Sequence, residues 1–143
     1  MTATVLELRT PYMLAEVSDG IGWMTFNNPE RRNAMKMEMN EAIVDILAAF
    51  GADDAVRVVV MQGAGDKAFV SGADISEFET NRSTPEGRER FDAVAAAAGR
   101  AFKALEKPLI AKIRGFCMGG GLATALQADI RITADDGQFA IPA

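Results

Sequence analysis

Residues 109–127 have the sequence LIAKIRGFCMGGGLATALQ, and this stretch decides the fold. The apolar segment from Leu109 to Ile113 predicts a buried strand, and Leu122 to Gln127 predicts a short helix. Between them, the glycine run Gly119 to Gly121 permits a tight turn and lets a ligand approach the backbone closely. Residues 68–75, AFVSGADI, have the same layout of extended residues, a glycine and the start of a helix. Because the first turn of a helix offers unpaired N–H groups, both stretches are candidate sites for an anion or a developing oxyanion.

The glycines also have a purely structural interpretation, in which they only form tight turns or close helix contacts. The pattern alone leaves both interpretations open. A third stretch, residues 63–68 with the sequence GAGDKA, fits the G-x-G-x-x-A spacing of a dinucleotide site. Since Phe69 to Ser71 continue in extended form and no helix is predicted to begin there, the sequence disfavours a dinucleotide site.

Strands and helices alternate along the rest of the chain, which predicts an α/β fold with repeated ββα units. A helix is expected around Met39 to Phe50 with Gly51 as its end, and Thr84-Pro85-Glu86 is typical of the start of a long helix. The further predicted strands are Tyr12–Val17, Ile21–Phe26, Val56–Met61, Ile130–Ile132 and Phe139–Ile141. The predicted buried face of the long helix consists of Phe91, Val94, Ala95, Ala98, Phe102 and Leu105.

The composition excludes several classes of function. The chain has no histidine, so it supplies neither a Ser-His-Asp triad nor a histidine-ligated metal. Its one cysteine, Cys117, forms no intrachain disulfide, which favours a reducing compartment and hence the cytoplasm. Lys and Arg total 15 against 20 Asp and Glu, a net charge of −5. That balance gives no basic surface for nucleic acid or for an anionic membrane, so neither partner is expected.

Three stretches together resemble the crotonase superfamily, also called the enoyl-CoA hydratase/isomerase family. They are NPERRNAM at residues 28–35, AFVSGADI at 68–75, and IRGFCMGGGL at 113–122. Their order and spacing also fit the family, with the Val56–Met61 strand and the long helix in the family's places. The chain is therefore identified as a member of this family because all three motifs occur in the family's order; no single motif would be sufficient.

The resemblance implies a crotonase-like superhelix of repeated ββα units, of the ClpP/crotonase type. It implies that residues 1–143 form the N-terminal part of a single acyl-CoA-binding domain. Family members bind acyl-CoA thioesters and stabilise an enolate oxyanion with two backbone amides, which correspond to those of Ala73 and Gly120. The implied function is an acyl-CoA-processing lyase or isomerase. It would need no cofactor, because coenzyme A enters as part of the substrate thioester.

The resemblance also implies residues that contact the substrate. The loop from Asn28 to Met35 is similar to the family's CoA-binding loop, so Arg31 and Arg32 are candidates for the phosphate end, with solvated surface charge as the alternative. Phe116 is a candidate wall of the acyl channel, with core packing as the alternative, and Asp74 either caps a helix or contacts substrate. The full implied substrate-binding set is Arg31, Ala34, Ser71, Gly72, Asp74, Ile75, Phe116 and Gly119.

The sequence departs from the family at the acid/base positions. Hydratases of the family use two glutamates, and the matching positions here are Ala123 and Ala143. Alanine neither takes nor donates a proton, so standard hydration is not expected. Three hypotheses remain open: another reaction of the family with a base such as Glu77, Glu79 or a residue beyond 143; a hydratase-like protein of low activity; or a homologue that binds acyl-CoA without turnover.

The length of 143 residues is about half that of typical family members. Members complete the core with further ββα units and a C-terminal helical region that also builds trimers. We therefore expect a chain truncated before that region. The resemblance implies a homotrimer or a dimer of trimers for the full-length protein.

Overall fold

The computed structural model describes residues 3–77 and 82–141, and the predicted α/β fold is confirmed. The strands are β1 (Thr4–Val5), β2 (Met13–Ser18), β3 (Ile21–Phe26), β4 (Val58–Gly63), β5 (Ala68–Val70), β6 (Leu109–Ile113), β7 (Phe116–Met118), β8 (Ile130–Thr133) and β9 (Gln138–Ala140). The helices are α1 (Met37–Ala52), α2 (Pro85–Ala104) and α3 (Gly120–Ala125), with 3-10 turns at Pro29–Arg31 and Ile75–Glu77.

The larger sheet has the strand order β1-β2-β3-β4-β6-β8. Its β2 and β3 form the predicted hairpin, in which Asp19 and Gly20 turn the chain with positive φ angles. From β3 onward the strands run parallel. Strand β2 alternates between buried and exposed residues, whereas Val59 to Met61 in β4 form a continuous buried run. A continuous apolar run of this kind is typical of a parallel strand that is covered on both faces.

Helix α1 supplies the main cover of this sheet. Its residues Met39, Ile43, Ile46 and Phe50 are fully buried, as their helical spacing predicts. The helix lies close to β3 at Gly22, where an added Cβ would stand only 2.8 Å from the Phe50 ring. The predicted helix end at Gly51 is one residue early, since α1 continues to Ala52.

Helix α2 begins as predicted, with the Thr84 side chain accepting a hydrogen bond from the Gly87 N–H at 2.9 Å. Its buried face is narrower than expected. Ala98 and Phe102 are buried, whereas Ala95 is exposed and the remaining predicted residues are half-buried. The reason is that α2 packs mainly against α1 and not against a sheet, so only a thin stripe of it is covered.

The smaller sheet has the order β5-β7-β9, with all its strands parallel. Strand β7 was not predicted, because Phe116 to Met118 stand between glycines in a stretch that predicts a loop. Helix α3 also begins at Gly120, two residues earlier than expected. The carboxyl ends of the neighbouring strands β5 and β7 lead directly into the two glycine stretches, so this sheet positions the candidate site.

Strands β8 and β9 form predicted elements but are exposed along their whole length. The side chains of Ile130, Ile132 and Phe139 are 53%, 58% and 46% exposed. Among residues 3–77 and 82–141, no helix has both the length and the apolar character needed to cross a membrane.

Candidate active site

The first glycine stretch lies beside the residues that precede α1. The Met35 N–H donates to the Gly72 carbonyl at 2.8 Å, and the Asp74 N–H donates to the Met35 carbonyl at 2.9 Å. These two bonds form an isolated parallel bridge between Met35 and Ala73 that does not use the Ala73 N–H. Within the described part of the chain, the Ala73 N–H has no acceptor. Gly72 has a φ of 131°, a backbone conformation in which a side chain is strained.

The second glycine stretch has a different role for each glycine. Gly119 has a positive φ of 55°, and its N–H donates to the Ala140 carbonyl of β9 at 2.8 Å. Gly121 is buried, and a Cβ there would overlap the Val70 carbonyl. Gly120 is the first residue of α3, and a Cβ built there would face open space. Its N–H has no acceptor among residues 3–77 and 82–141. The structural interpretation therefore fits Gly121, whereas Gly120 leaves room for a ligand.

One cavity of about 260 Å³ brings the two stretches together. Ala73 and Gly120 both line it, and so does Ala123, one turn along α3. One part of the wall is apolar and consists of Met35, Met37, Phe91, Ala95, Ala98 and Phe102. The polar lining consists of Lys36, Asn40, Thr124 and Gln127. Of the described lining residues, none is an acid, a histidine or a cysteine.

The other predicted substrate-binding residues are not among the residues that line this cavity. Arg31 is exposed, and its backbone carbonyl accepts a hydrogen bond from the Ser71 hydroxyl at 3.3 Å. Ala34 is buried, and Ile75 is 74% exposed. Phe116 is half-buried, with the Arg32 guanidinium 4.7 Å from its ring centroid.

Two asparagines that were not predicted as functional hold the loop of residues 28–35 in place. The Asn33 side chain is fully buried and donates to the carbonyls of Ala64 and Ala68 at 3.0 and 2.9 Å. The Asn28 side chain donates to the Ala34 carbonyl at 3.0 Å. The sequence shows both asparagines beside Pro29, but it does not show their hydrogen-bond partners. Those of Asn33 are more than 30 residues away, and that of Asn28 lies across the loop.

Asp74 caps the 3-10 turn that follows it, as one of the two interpretations expected. Its Oδ1 accepts from the Ser76 N–H at 3.0 Å and from the Ser76 hydroxyl at 2.5 Å. Burial by itself would raise the pKa of this carboxyl, but the Ser76 hydrogen bonds and the charges of Lys36 and Arg31 outweigh it and hold the pKa below its usual value of 3.8. Asp74 is therefore a buried, ionised carboxylate at neutral pH.

Glu77, one of the candidate bases named from the sequence, is not among the described residues that line the cavity. Glu77 is occupied: its Oε1 accepts from the Met37 N–H at 2.8 Å, and its Oε2 lies 3.9 Å from the Lys36 ammonium. Glu79 and Ala143 lie outside the described residues. Burial raises the pKa of the Cys117 thiol to about 11, so this thiol is protonated at neutral pH. No group of three metal-ligating acids or thiols occurs in residues 3–77 and 82–141.

A wider groove of about 780 Å³ runs between α1 and α2. It holds none of the predicted site residues, and short aliphatic side chains such as Ala48, Ala97 and Ala101 line much of it. The smaller cavity with the two free amides is therefore the better candidate site.

A family model for enoyl-CoA hydratase/isomerase matches residues 16–143. This chain belongs to the enoyl-CoA hydratase/isomerase family. Crotonyl-CoA hydratase of Syntrophomonas wolfei is 37% identical over 130 residues, 91% of this chain and 49% of that protein. Short-chain-enoyl-CoA hydratase of Clostridium acetobutylicum is 35% identical, and hydroxycinnamoyl-CoA hydratase-lyase of Pseudomonas fluorescens is 33% identical.

Solved structures of the family have the same fold. An enoyl-CoA hydratase/carnithine racemase from Magnetospirillum magneticum matches with a TM-score of 0.88 and 37% identity, covering 93% of this chain and 50% of that one. An enoyl-CoA hydratase/isomerase from Xanthobacter autotrophicus matches with a TM-score of 0.85 and 32% identity, covering 92% of this chain and 49% of that one. The crotonase-like fold expected from the sequence is confirmed. The chain spans about half the length of the curated relatives it matches.

Proposed function

We propose that this member of the enoyl-CoA hydratase/isomerase family binds an acyl-CoA thioester in the cavity and stabilises its enolate with the N–H groups of Ala73 and Gly120. The observation that carries the proposal is that two backbone N–H groups without acceptors among the described residues line one cavity. A thioester oxygen that gains negative charge is the acceptor such donors suit. Loss of one donor of this kind typically costs about 3 kcal/mol of transition-state stabilisation.

The substrate class is supported by the relatives and by the walls of the cavity. The relatives named above include a crotonyl-CoA hydratase and a short-chain-enoyl-CoA hydratase. The apolar wall formed by residues such as Phe91 and Phe102 suits an acyl chain, because burial of apolar surface favours binding. Arg31, exposed on the loop of residues 28–35, is proposed to contact the phosphate end of coenzyme A.

The proposed reaction is not the standard two-glutamate hydration. Ala123 stands on the cavity wall where the family's first glutamate is expected, and no carboxylate occurs among the described lining residues. The chain's contribution is then to bind the thioester, exclude water from its apolar part and stabilise the enolate oxygen. A reaction such as decarboxylation needs no base on this lining, because loss of CO₂ leaves its electron pair on the substrate as the enolate. The proton that then quenches the enolate carbon would come from solvent or from a group outside this lining.

The test compares two substitutions at one residue. Gly120→Pro removes the proposed donor at the first position of α3, where proline fits a helix. Gly120→Ala keeps the N–H, and its Cβ would meet no described residue outside its own helix within 4 Å. The proteins are incubated with a panel of acyl-CoAs and the products are followed by mass spectrometry. We expect turnover to fall roughly 100- to 1,000-fold in Gly120→Pro and to persist in Gly120→Ala. Equal turnover in the two variants would contradict the role of this amide.

A second candidate function, acyl-CoA binding without turnover, is favoured by the same lack of a carboxylate on the described wall. Under this alternative, the wild-type protein binds thioesters, as measured by calorimetry, and returns all of them unchanged. A specific product from any thioester would exclude it. Failure to bind any thioester would instead contradict both candidate functions.

A further inference from the structure

Lys36 is the charged residue on the described wall of the cavity, and it was not predicted as a site residue. Its side chain is 19% exposed, and its Nζ lies 3.7 Å from Asp74 Oδ2 and 3.9 Å from Glu77 Oε2. On another side, the same Nζ lies 4.9 Å from the centroid of the Tyr12 ring. The ammonium is therefore held between two carboxylates and an aromatic face, and it does not extend into solvent.

Both carboxylates belong to the short segment that carries the Ala73 amide. Asp74 follows Ala73 directly, and Glu77 ends the 3-10 turn that Asp74 caps. Glu77 also accepts the Met37 N–H, at the first turn of α1. The segment of residues 73–77 thus meets residues 35–37 through three kinds of contact: a backbone bridge at Met35, an ion-pair cluster at Lys36 and a helix-end hydrogen bond at Met37.

The Asp74 carboxylate has Lys36 as its ion-pair partner. Its side chain is 1% exposed, and its Oδ2 has no hydrogen-bond donor among the described residues. A buried carboxylate oxygen without a donor is costly, and among the described residues the Lys36 ammonium is the cation within ion-pair distance of it, at 3.7 Å. Removing that charge leaves Asp74 with only the Ser76 hydrogen bonds and the charge of Arg31 to offset its burial, and it lets Asp74 and Glu77 repel each other.

We infer that Lys36 is a positioning residue, whose ammonium holds the segment of residues 73–77 against the start of α1 and so fixes the direction of the Ala73 N–H. The fixed segment is a property of the free protein. Its catalytic consequence rests on the proposed function, because only a bound thioester gives the Ala73 amide an oxyanion to stabilise.

The first test needs no ligand. Amide hydrogen exchange is measured by NMR on the free full chain for wild type, Lys36→Met and the matched control Lys36→Arg. The reporters are the Met35 and Asp74 amides, which form the bridge, and the reference is the Val59 amide, which donates to Pro108 in the core. We expect exchange at the reporters to rise by about tenfold or more in Lys36→Met and to stay within about threefold of wild type in Lys36→Arg, with Val59 unchanged.

Two results would overturn the positioning role. One is unchanged exchange at Met35 and Asp74 in Lys36→Met. The other is an equal rise at Val59, which would show a general loss of stability. The double variant Lys36→Met with Asp74→Asn tests the charge explanation. Without the buried carboxylate, its reporters should exchange more slowly than in Lys36→Met alone, and equal or faster exchange would refute that explanation.

The second test connects the segment to the substrate carbonyl. Cinnamoyl-CoA carries a conjugated acyl group whose absorption band moves to longer wavelength when hydrogen bonds polarise its carbonyl. We expect a red shift on wild-type protein, a smaller shift in Lys36→Met at a similar Kd, and recovery of the shift in Lys36→Arg. A full shift in Lys36→Met would overturn the role of Lys36 at the carbonyl. Failure of the wild type to bind this thioester would count against the proposed function, while the exchange experiment still decides whether Lys36 holds the segment.

Discussion

The two glycine stretches place similar backbone amides on one cavity, but different forces hold them. The stretch around Ala73 is fixed by charged and polar side chains, with Lys36, Asp74 and Glu77 in one cluster. The stretch around Gly120 is fixed by close backbone packing, with Gly121 pressed against Val70 of the neighbouring strand. The first should therefore respond to changes in charge and pH, and the second to changes in volume.

The largest effect is expected at Gly121. A Cβ there would overlap the Val70 carbonyl and stand 2.9 Å from the Val70 Cβ, and backbone atoms cannot move aside as the end of a side chain can. We expect Gly121→Ala to lower the free energy of unfolding by about 3 kcal/mol or more, equally at pH 7 and pH 5. Chemical denaturation at the two pH values measures this. A loss below about 1 kcal/mol would show that the packing of this stretch is not tight.

A smaller loss is expected at Gly72, in the first stretch. Its φ of 131° strains any side chain, although a Cβ there would meet only the Met118 carbonyl at 3.8 Å. The cost is then one of backbone conformation alone, and we expect about 2 kcal/mol for Gly72→Ala. Gly99→Ala in α2 is the matched control: its Cβ would meet no described residue outside its own helix within 4 Å, so the change should be neutral or stabilising. Equal stability of the two variants would contradict the strain at Gly72.

We expect the ionisation of Asp74 to make the free energy of unfolding depend on pH. Because the pKa of this carboxyl is lowered in the folded protein, its ionised form stabilises the fold above the usual value of 3.8, and this contribution is lost as the pH falls through the lower folded value. We expect Asp74→Asn to be about 1–2 kcal/mol less stable than wild type at pH 7, with the difference shrinking below about pH 4. Denaturation curves from pH 7 to pH 3 test this, and a constant difference across that range would contradict it.

The smallest effect is expected at Gly120. Its Cβ would face open space at the first position of α3, so Gly120→Ala should change the free energy of unfolding by less than about 1 kcal/mol. Thermal unfolding of Gly120→Ala and of Gly121→Ala compares the same chemical change at two adjacent residues. Similar losses in both would mean that both glycines, and not Gly121 alone, are needed for packing.

Local patterns were sufficient to predict much of the fold. The hairpin of β2 and β3, the buried face of α1 and the Thr84 cap of α2 all follow from alternation, helical spacing and capping rules within a few residues. Strand β7 could not be predicted in this way, because it has three residues and owes its existence to pairing with β5 and β9. The exposure of β8 could not be predicted either, since β-branched apolar residues such as Ile130 and Ile132 are typical of a buried strand.

The sequence likewise predicted some features of the candidate site and not others. The motifs at residues 68–75 and 113–122 identified the two stretches, and the resemblance to the family singled out Ala73 and Gly120. That one cavity holds both amides required the three-dimensional arrangement. The pairing of Lys36 with Asp74 joins residues 38 positions apart, and no periodicity in the sequence connects them.

The parallel pairing of β5 with β7 has a consequence for the spacing of the two amides. Neighbouring strands of a sheet lie about 4.8 Å apart, and both glycine stretches leave the sheet at the same edge. The pairing of β5 with β7 therefore fixes the spacing of the strand ends from which the two stretches leave the sheet. From those ends, the ion pairs of Lys36 and the packing of Gly121 against Val70 hold the Ala73 and Gly120 amides in place. A lining residue such as Ala123, which takes no part in these contacts, can change without altering the spacing of the strand ends.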